Sequence, residues 1–83
     1  MQDLNDMLYF AEVVDQGGFA AAGRSLGIPK SRLSRRVAEL EAQLGARLLQ
    51  RTTRRVALTD AGDAFYRHCA AMRESARAAQ DAV

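Results

Sequence analysis

This sequence of 83 residues has little of what disulfide-linked, metal-built or membrane-spanning proteins need. It contains one cysteine, one histidine, one proline and no tryptophan. Cys69 cannot form an internal disulfide, and together with His68 it provides too few ligands for a structural zinc site. No apolar run approaches the roughly 18 residues of a membrane span, and the start Met1-Gln2-Asp3 lacks a signal-peptide pattern. We therefore expect a cytoplasmic protein without a metal-built core.

The sequence also lacks the residue sets on which most enzymes depend. No paired carboxylates, glycine-rich phosphate loop or nucleophile with its base is visible. His68 and Cys69 are neighbours on a predicted helix, so their side chains point about 100° apart and form no catalytic dyad. A chain of this length buries only about 60 % of its unfolded surface, which leaves little room for a catalytic cleft. One small, non-enzymatic domain without a cofactor of its own is expected.

Charge is present but unevenly distributed along the chain. The net charge is only +2, yet residues 24–55 carry nine arginines and lysines against two glutamates. Residues 1–23 carry four acids and no base. From charge alone two interpretations stay open, a solvated face or a surface that binds a polyanion. Because the basic block contains no aromatic residue, stacking of single-stranded bases is disfavoured.

Two short helices are predicted at the start of the chain. Apolar residues at spacings of three and four predict an amphipathic helix over residues 3–16, which Gly17-Gly18 ends. A second helix has a short apolar face formed by Phe19, Ala22 and Leu26. Its small side chains allow another helix to approach closely, and Gly27 then provides a left-handed cap.

A third helix is predicted over residues 30–44, after the tight turn Ile28-Pro29 and before Gly45. Its buried side is formed by residues at spacings of four, three and four, namely Leu33, Val37, Leu40 and Leu44. Its opposite side shows a basic, hydroxyl-rich surface to solvent: Lys30, Ser31, Arg32, Ser34, Arg35 and Arg36.

After the third helix the helical period disappears, and two short arms predict a small hairpin. The arms, residues 48–51 and 55–58, flank the polar tip Thr52-Thr53-Arg54, and they must pack on the helices to be stable. Thr59 can cap a fourth helix over residues 60–83. That helix carries a heptad seam whose members we predict to form a dimer interface: Phe65, Cys69, Met72, Ala76, Ala79 and Val83. A helix of about 24 residues is about 36 Å long, so its distal half is expected to need a partner helix.

The predicted architecture is mostly α. A winged helix-turn-helix, with three helices and a two-stranded hairpin wing, occupies residues 1–59, and a linker or dimerisation helix occupies residues 60–83. In such an arrangement the second helix of the pair enters the major groove, the first crosses the backbone, and the hairpin is the wing. Most of the basic residues in this chain are arginines, whose side chains suit contacts with phosphate and guanine.

The residues also carry a family resemblance. The motifs are Phe19-Ala20-Ala21-Ala22, Leu26-Gly27-Ile28, Leu33-Ser34-Arg35-Arg36-Val37, Leu40-Glu41, Leu44-Gly45, Leu48-Leu49, Arg51-Thr52-Thr53-Arg54 and Leu58-Thr59-Asp60-Ala61-Gly62. In their joint order and spacing they resemble the N-terminal DNA-binding region of LysR-type transcriptional regulators. The resemblance implies a homodimer on double-stranded DNA, with a tetramer open for a full-length protein, in the bacterial nucleoid. It also implies an effector-binding domain, holding a small molecule, that is absent from these residues.

Carried over by position, the resemblance assigns roles to two groups of residues. The base-reading group is Lys30, Ser31, Arg32, Ser34 and Arg35. The wing and phosphate group is Arg36, Thr52, Thr53, Arg54 and Arg55, with Arg54 as the minor-groove contact. Two alternatives stay open for Arg36, which can point sideways toward Glu39 or toward phosphate. Two also stay open for Arg55, which can reach phosphate or protect the edge of the sheet from further pairing.

This sequence departs from the family pattern at several of these positions. Pro29 and Lys30 stand where serine and glutamine are usual, so the side-chain cap is missing and base preference is open. Arg32 adds a charge where a small residue or proline is usual. Gly18 and Ala20 remove hydroxyl groups at the start of the second helix.

A rival hypothesis is a helical protein-interaction module whose long helix binds a partner and whose basic surface only solubilises it or contacts an acidic protein. The operator, the regulated genes, the sign of regulation and the effector are not determined by these residues.

Overall fold

The computed structural model describes residues 3–50 and 56–83, and within these residues it contains four helices and one two-stranded hairpin. In chain order the elements are α1 (Leu4–Gln16), α2 (Phe19–Leu26), α3 (Lys30–Leu44), β1 (Leu49–Gln50), β2 (Ala57–Leu58) and α4 (Asp60–Asp81). The prediction of a mostly α, winged helix-turn-helix fold followed by a long helix is confirmed.

The first helix forms one wall of the core. Asp3 caps it, because a carboxylate oxygen of Asp3 accepts a hydrogen bond from the Asn5 N–H at 2.8 Å. The apolar side of α1 is fully buried at Phe10 and Val13, and α2 and α3 pack against it. The 3.6-residue spacing of the apolar positions therefore produces the predicted amphipathic helix.

The connection between α2 and α3 is tight, and two glycines make it possible. Gly27 has a φ of 70°, a left-handed conformation that side chains disfavour. A Cβ on Gly23 would lie 2.8 Å from the Ile28 carbonyl oxygen, so this position has no room for a side chain. The sequence predicted that another helix approaches the small residues of α2. In the structure, the backbone of the turn between α2 and α3 lies against Gly23.

α3 lies with its apolar side in the core, as predicted. Leu33, Val37 and Leu40 are fully buried there. They pack together with Phe10 and Ala22 in one cluster, which joins all three helices. Burial of this side leaves the basic side of α3 facing outward.

The hairpin is antiparallel and pairs Leu49 with Leu58 and Gln50 with Ala57. Leu48 and Leu49 are buried, so the predicted packing of the first arm on the helices is confirmed. The predicted wing contacts Thr52, Thr53, Arg54 and Arg55 lie outside the described residues, as does Arg51.

The start of α4 is joined to the start of the hairpin by a small network. The Thr59 hydroxyl accepts a hydrogen bond from the Gly62 N–H at 2.9 Å, which confirms the predicted cap. The same hydroxyl donates to the Arg47 carbonyl at 2.6 Å. A Cβ on Gly62 would lie only 2.0 Å from the Leu48 carbonyl oxygen, so glycine is required for this close packing.

The first half of α4 completes the core, and this corrects part of the predicted dimer interface. Cys69 is fully buried within the chain, so its assignment to an interface with a second chain was wrong. The Phe65 ring already packs on the Phe10 ring, with centroids 5.7 Å apart. The heptad spacing correctly places both residues on one face, but α1 covers the first half of that face. The division of the chain at residues 59 and 60 stays a prediction.

Candidate nucleic-acid interface

The first two turns of α3 present cations that no carboxylate neutralises within residues 3–50 and 56–83. Lys30, Arg32 and Arg35 are exposed, and none of them forms an ion pair with another described residue. Ser31 is exposed beside them, and Ser34 is half-buried. The structure thus brings the five predicted base-reading residues together at one end of one helix.

The backbone at the start of α3 adds to the positive potential of this surface. Pro29 is the N-cap and makes no side-chain cap, and the first turn contains no acidic residue. The free N–H groups and the helix dipole therefore favour a negative charge placed here. The expected loss of the usual side-chain cap at Pro29 is confirmed.

A shallow hollow lies between α2 and the start of α3, beside this surface. It is lined by Ala20, Gly23, Arg24, Gly27, Ile28, Pro29 and Lys30. Arg24 is exposed and has no ion-pair partner among the described residues. The sequence interpretation assigned Arg24 no role, although it begins the basic block. Its place beside Lys30 extends the cationic surface from α3 onto α2.

Arg36 differs from its neighbour Arg35, because it faces back toward α1. Its Nε donates to a carboxylate oxygen of Asp6 at 2.6 Å, and its Nη2 lies 3.2 Å from a carboxylate oxygen of Asp3. The guanidinium carbon is 5.5 Å from the Tyr9 ring centroid. The hydrogen bond and charge of Asp6 raise the pKa of Arg36. Arg36 therefore points sideways, as the sequence interpretation considered, but its partners are Asp6 and Asp3 rather than Glu39.

The other end of α3 is anchored by a buried glutamate. A carboxylate oxygen of Glu41 accepts hydrogen bonds from the Leu48 N–H at 2.7 Å and the Leu49 N–H at 3.1 Å. This side chain ties the beginning of the hairpin to α3. The sequence interpretation missed its structural role, although a glutamate between Leu40 and Leu44 on the apolar side of a helix is a usable signal.

Other chemistry is sparse in the part of the chain that the structure describes. There, no group of three histidine, cysteine or acidic side chains could hold a metal ion. No helix among the described residues is long and apolar enough to cross a membrane. Burial raises the pKa of the Cys69 thiol to about 11, so this cysteine stays protonated at neutral pH. Such a thiol is a poor nucleophile.

The arrangement defines a winged helix-turn-helix whose basic face forms no ion pair with the rest of the described chain. A helix of this kind is able to bind phosphate through cations and N–H groups and to read base edges through arginine. The comparisons with known proteins agree with this class. Residues 4–63 match the family model described as "Bacterial regulatory helix-turn-helix protein, lysR family". The chain therefore belongs to the LysR family.

Relatives and solved structures extend the match to nearly the whole chain. An HTH-type transcriptional regulator of Xanthomonas campestris pv. campestris is 54% identical over 81 residues, which cover 98% of this chain and 24% of the relative. The probable HTH-type transcriptional regulator LtrA of Klebsiella pneumoniae is 48% identical over 80 residues, 96% of this chain and 26% of the relative. The chain thus spans about a quarter of the length of these curated relatives.

Among solved structures, the BenM_DBD/catB site 1 DNA complex has a TM-score of 0.91 and 31% identity. That match covers 96% of this chain and 89% of the other. The full-length virulence activator AphB of Vibrio cholerae, a member of the LTTR protein family, has a TM-score of 0.89 and 32% identity. It covers 96% of this chain and 28% of the other. The predicted family is confirmed.

Proposed function

We propose that this protein binds specific double-stranded DNA sequences and regulates transcription, with α3 in the major groove. The observation that carries the proposal is the group of exposed cations on the first turns of α3, which has no partner among the described residues. The likeness to a DNA-binding domain solved on DNA supports the same assignment. In this proposal Lys30, Arg32 and Arg35 contact bases or nearby phosphates, and Ser31 and Ser34 add hydrogen bonds.

Contacts beyond α3 belong to the same proposal. Arg24 contacts phosphate beside Lys30, because both line the hollow between α2 and α3. The wing residues Thr52, Thr53, Arg54 and Arg55 contact the minor groove and its phosphates, as the family resemblance implies. Arg36 acts indirectly, since it fixes α3 against α1 through Asp6.

The proposed assembly is a homodimer through the second half of α4. This half carries the remaining seam residues, of which Ala76, Ala79 and Val83 are exposed and Met72 is half-buried. A helix that extends beyond its own core has apolar positions available to a second copy. A tetramer and a small-molecule effector are proposed only for a longer protein that carries a sensing domain. Its place in the cell is the nucleoid, because its proposed partner is DNA.

The test is selection of bound duplexes from a random library at moderate salt, followed by titration of the selected duplex against scrambled DNA. We expect an interrupted palindrome bound at least ~10³ times tighter than scrambled sequence. If a dimer neutralises about 8 phosphates, log K falls against log salt with a slope near −7.

Absence of enrichment, together with a flat salt response, would contradict the proposal. The rival function, a helical protein-interaction module, predicts self-association in analytical ultracentrifugation that duplex DNA does not change. A catalytic role is not part of the proposal, because the relatives are transcriptional regulators.

A further inference from the structure

A three-residue cluster joins α4 to the end of α1. The Tyr66 hydroxyl donates a hydrogen bond to one carboxylate oxygen of Asp15, and Arg73 Nη1 lies 2.7 Å from the other. Tyr66 and Arg73 are separated by two turns of α4, so one carboxylate holds the helix at two points. We call Asp15, Tyr66 and Arg73 the α1–α4 clamp.

The clamp is the directional part of the contact between α4 and α1. The other α4 ion pairs among the described residues, Arg67–Asp63 and Arg77–Glu74, lie within α4 itself. Phe65 and Cys69 add apolar contacts, which are not directional. The side chains of Arg73 and Asp15 are only 29% and 32% exposed, so water screens this pair less than the surface pairs. The bidentate attachment therefore restricts how α4 rotates and tilts on the core.

The direction of α4 has a large effect at the basic face, because the molecule is elongated. Its principal dimensions are 43 × 26 × 19 Å. If α4 tilts on the core by about 10°, a point roughly 30 Å away from the clamp moves by about 5 Å. That displacement exceeds the rise of about 3.4 Å per base pair along DNA. In a dimer joined through α4, a tilt of this size would change the separation between the two α3 helices by more than the rise of one base pair.

We propose that the α1–α4 clamp determines the spacing between half-sites that the dimer accepts. This inference rests on the proposed function, namely DNA binding as a dimer through the second half of α4. The clamp residues are positioning residues, since none of them belongs to the basic face and they act by fixing the direction of α4. Discrimination between bases within a half-site stays with α3.

The test compares Asp15→Asn and Arg73→Gln with the unchanged protein on duplexes that carry two selected half-sites at stepped separations, one base pair at a time. The matched control is Glu74→Gln, which removes one charge beside the clamp from an exposed pair within α4. Each protein is also titrated against a duplex with a single half-site. Tyr66→Phe is the milder clamp variant, because it removes only the hydroxyl.

We expect the unchanged protein and Glu74→Gln to prefer one separation at least tenfold over its neighbours. The clamp variants should reduce that preference to threefold or less, while affinity for the single half-site changes by less than twofold. Arg73→Lys should restore part of the preference, because it keeps a cation opposite Asp15. A merely structural cluster would instead weaken single and paired half-sites equally and leave the preferred separation unchanged, which overturns the inference.

Two further outcomes are distinguishable. If the unchanged protein binds no duplex selectively, the proposed function fails, and the inference fails with it. If Asp15→Asn unfolds, which thermal unfolding detects, Tyr66→Phe decides: an unchanged spacing preference in that folded variant overturns the inference.

Discussion

The two sides of α3 carry charge in opposite ways. On the outward side, Lys30, Arg32 and Arg35 have no ion-pair partner among the described residues. On the inward side, Arg36 is held by Asp6, and Glu41 is held by the N–H groups of Leu48 and Leu49. Arg35 and Arg36 are adjacent in sequence and identical in chemistry, yet the direction of the side chain gives them different tasks. Charge with a fixed partner maintains the structure, whereas charge without one is available to DNA.

Among variants of the two sides of α3, the largest expected change in stability comes from removing the Glu41 carboxylate. Glu41→Ala leaves two N–H groups at the start of the hairpin without their acceptor, which should lower the free energy of unfolding by about 2 to 4 kcal/mol. Chemical denaturation measures this loss. Glu39→Ala, on the exposed side of the same helix, is the matched control and should change stability by no more than about 0.5 kcal/mol. Equal losses in the two variants would show that the inward glutamate is not an anchor.

The next largest effect concerns the outward side. Arg35→Ala should lower affinity for the selected DNA by about 1 to 3 kcal/mol and relax discrimination at one base pair, without a change in thermal stability. Fluorescence anisotropy on selected and scrambled duplexes measures both quantities. Arg24→Ala removes from α2 an arginine that also has no ion-pair partner among the described residues, and this variant should weaken both duplexes by the same factor. If both variants lose affinity without regard to sequence, Arg35 does not read a base.

The smallest expected effect tests how well the packed interior excludes water. Burial raises the pKa of Cys69 to about 11, whereas an unfolded thiol titrates near 8.5 to 9. Between these values the folded protein binds more protons than the unfolded chain, so stability falls as pH rises from about 9 to 11. Relative to Cys69→Ala, the fall should be on the order of 1 kcal/mol by pH 10. Parallel pH profiles of the two proteins would mean that water reaches the thiol.

Local physical chemistry explains why much of this fold is predictable. Apolar spacing and terminating glycines indicated α1 and α3 to within about one residue and also indicated α2 with its cap at Gly27, because amphipathic helices bury one side and end where the backbone turns left-handed. Thr59 was predictable as a cap because its hydroxyl bonds to the N–H of a residue three positions ahead. The basic surface of α3 followed from the same helical period.

Long-range pairing explains what was missed. The heptad spacing of α4 placed Cys69 on the correct face, but only packing shows that α1 covers that position. Asp6 and Arg36 are 30 residues apart, and nothing in their spacing indicates that they meet. The apolar side of α3 signalled that Glu41 is buried, but not that it binds the N–H groups of Leu48 and Leu49, which follow α3 in the chain.

By itself, the sequence determined the helical segments, the basic block and the family to which this chain belongs, because these depend on local periodicity, charge and motif order. The tertiary structure decided which arginines are neutralised and which half of α4 is already covered. It also brought Asp15, Tyr66 and Arg73 together from two distant segments. Such contacts depend on how helices pack in three dimensions, and a charge is available for binding only after folding has left it without an internal partner.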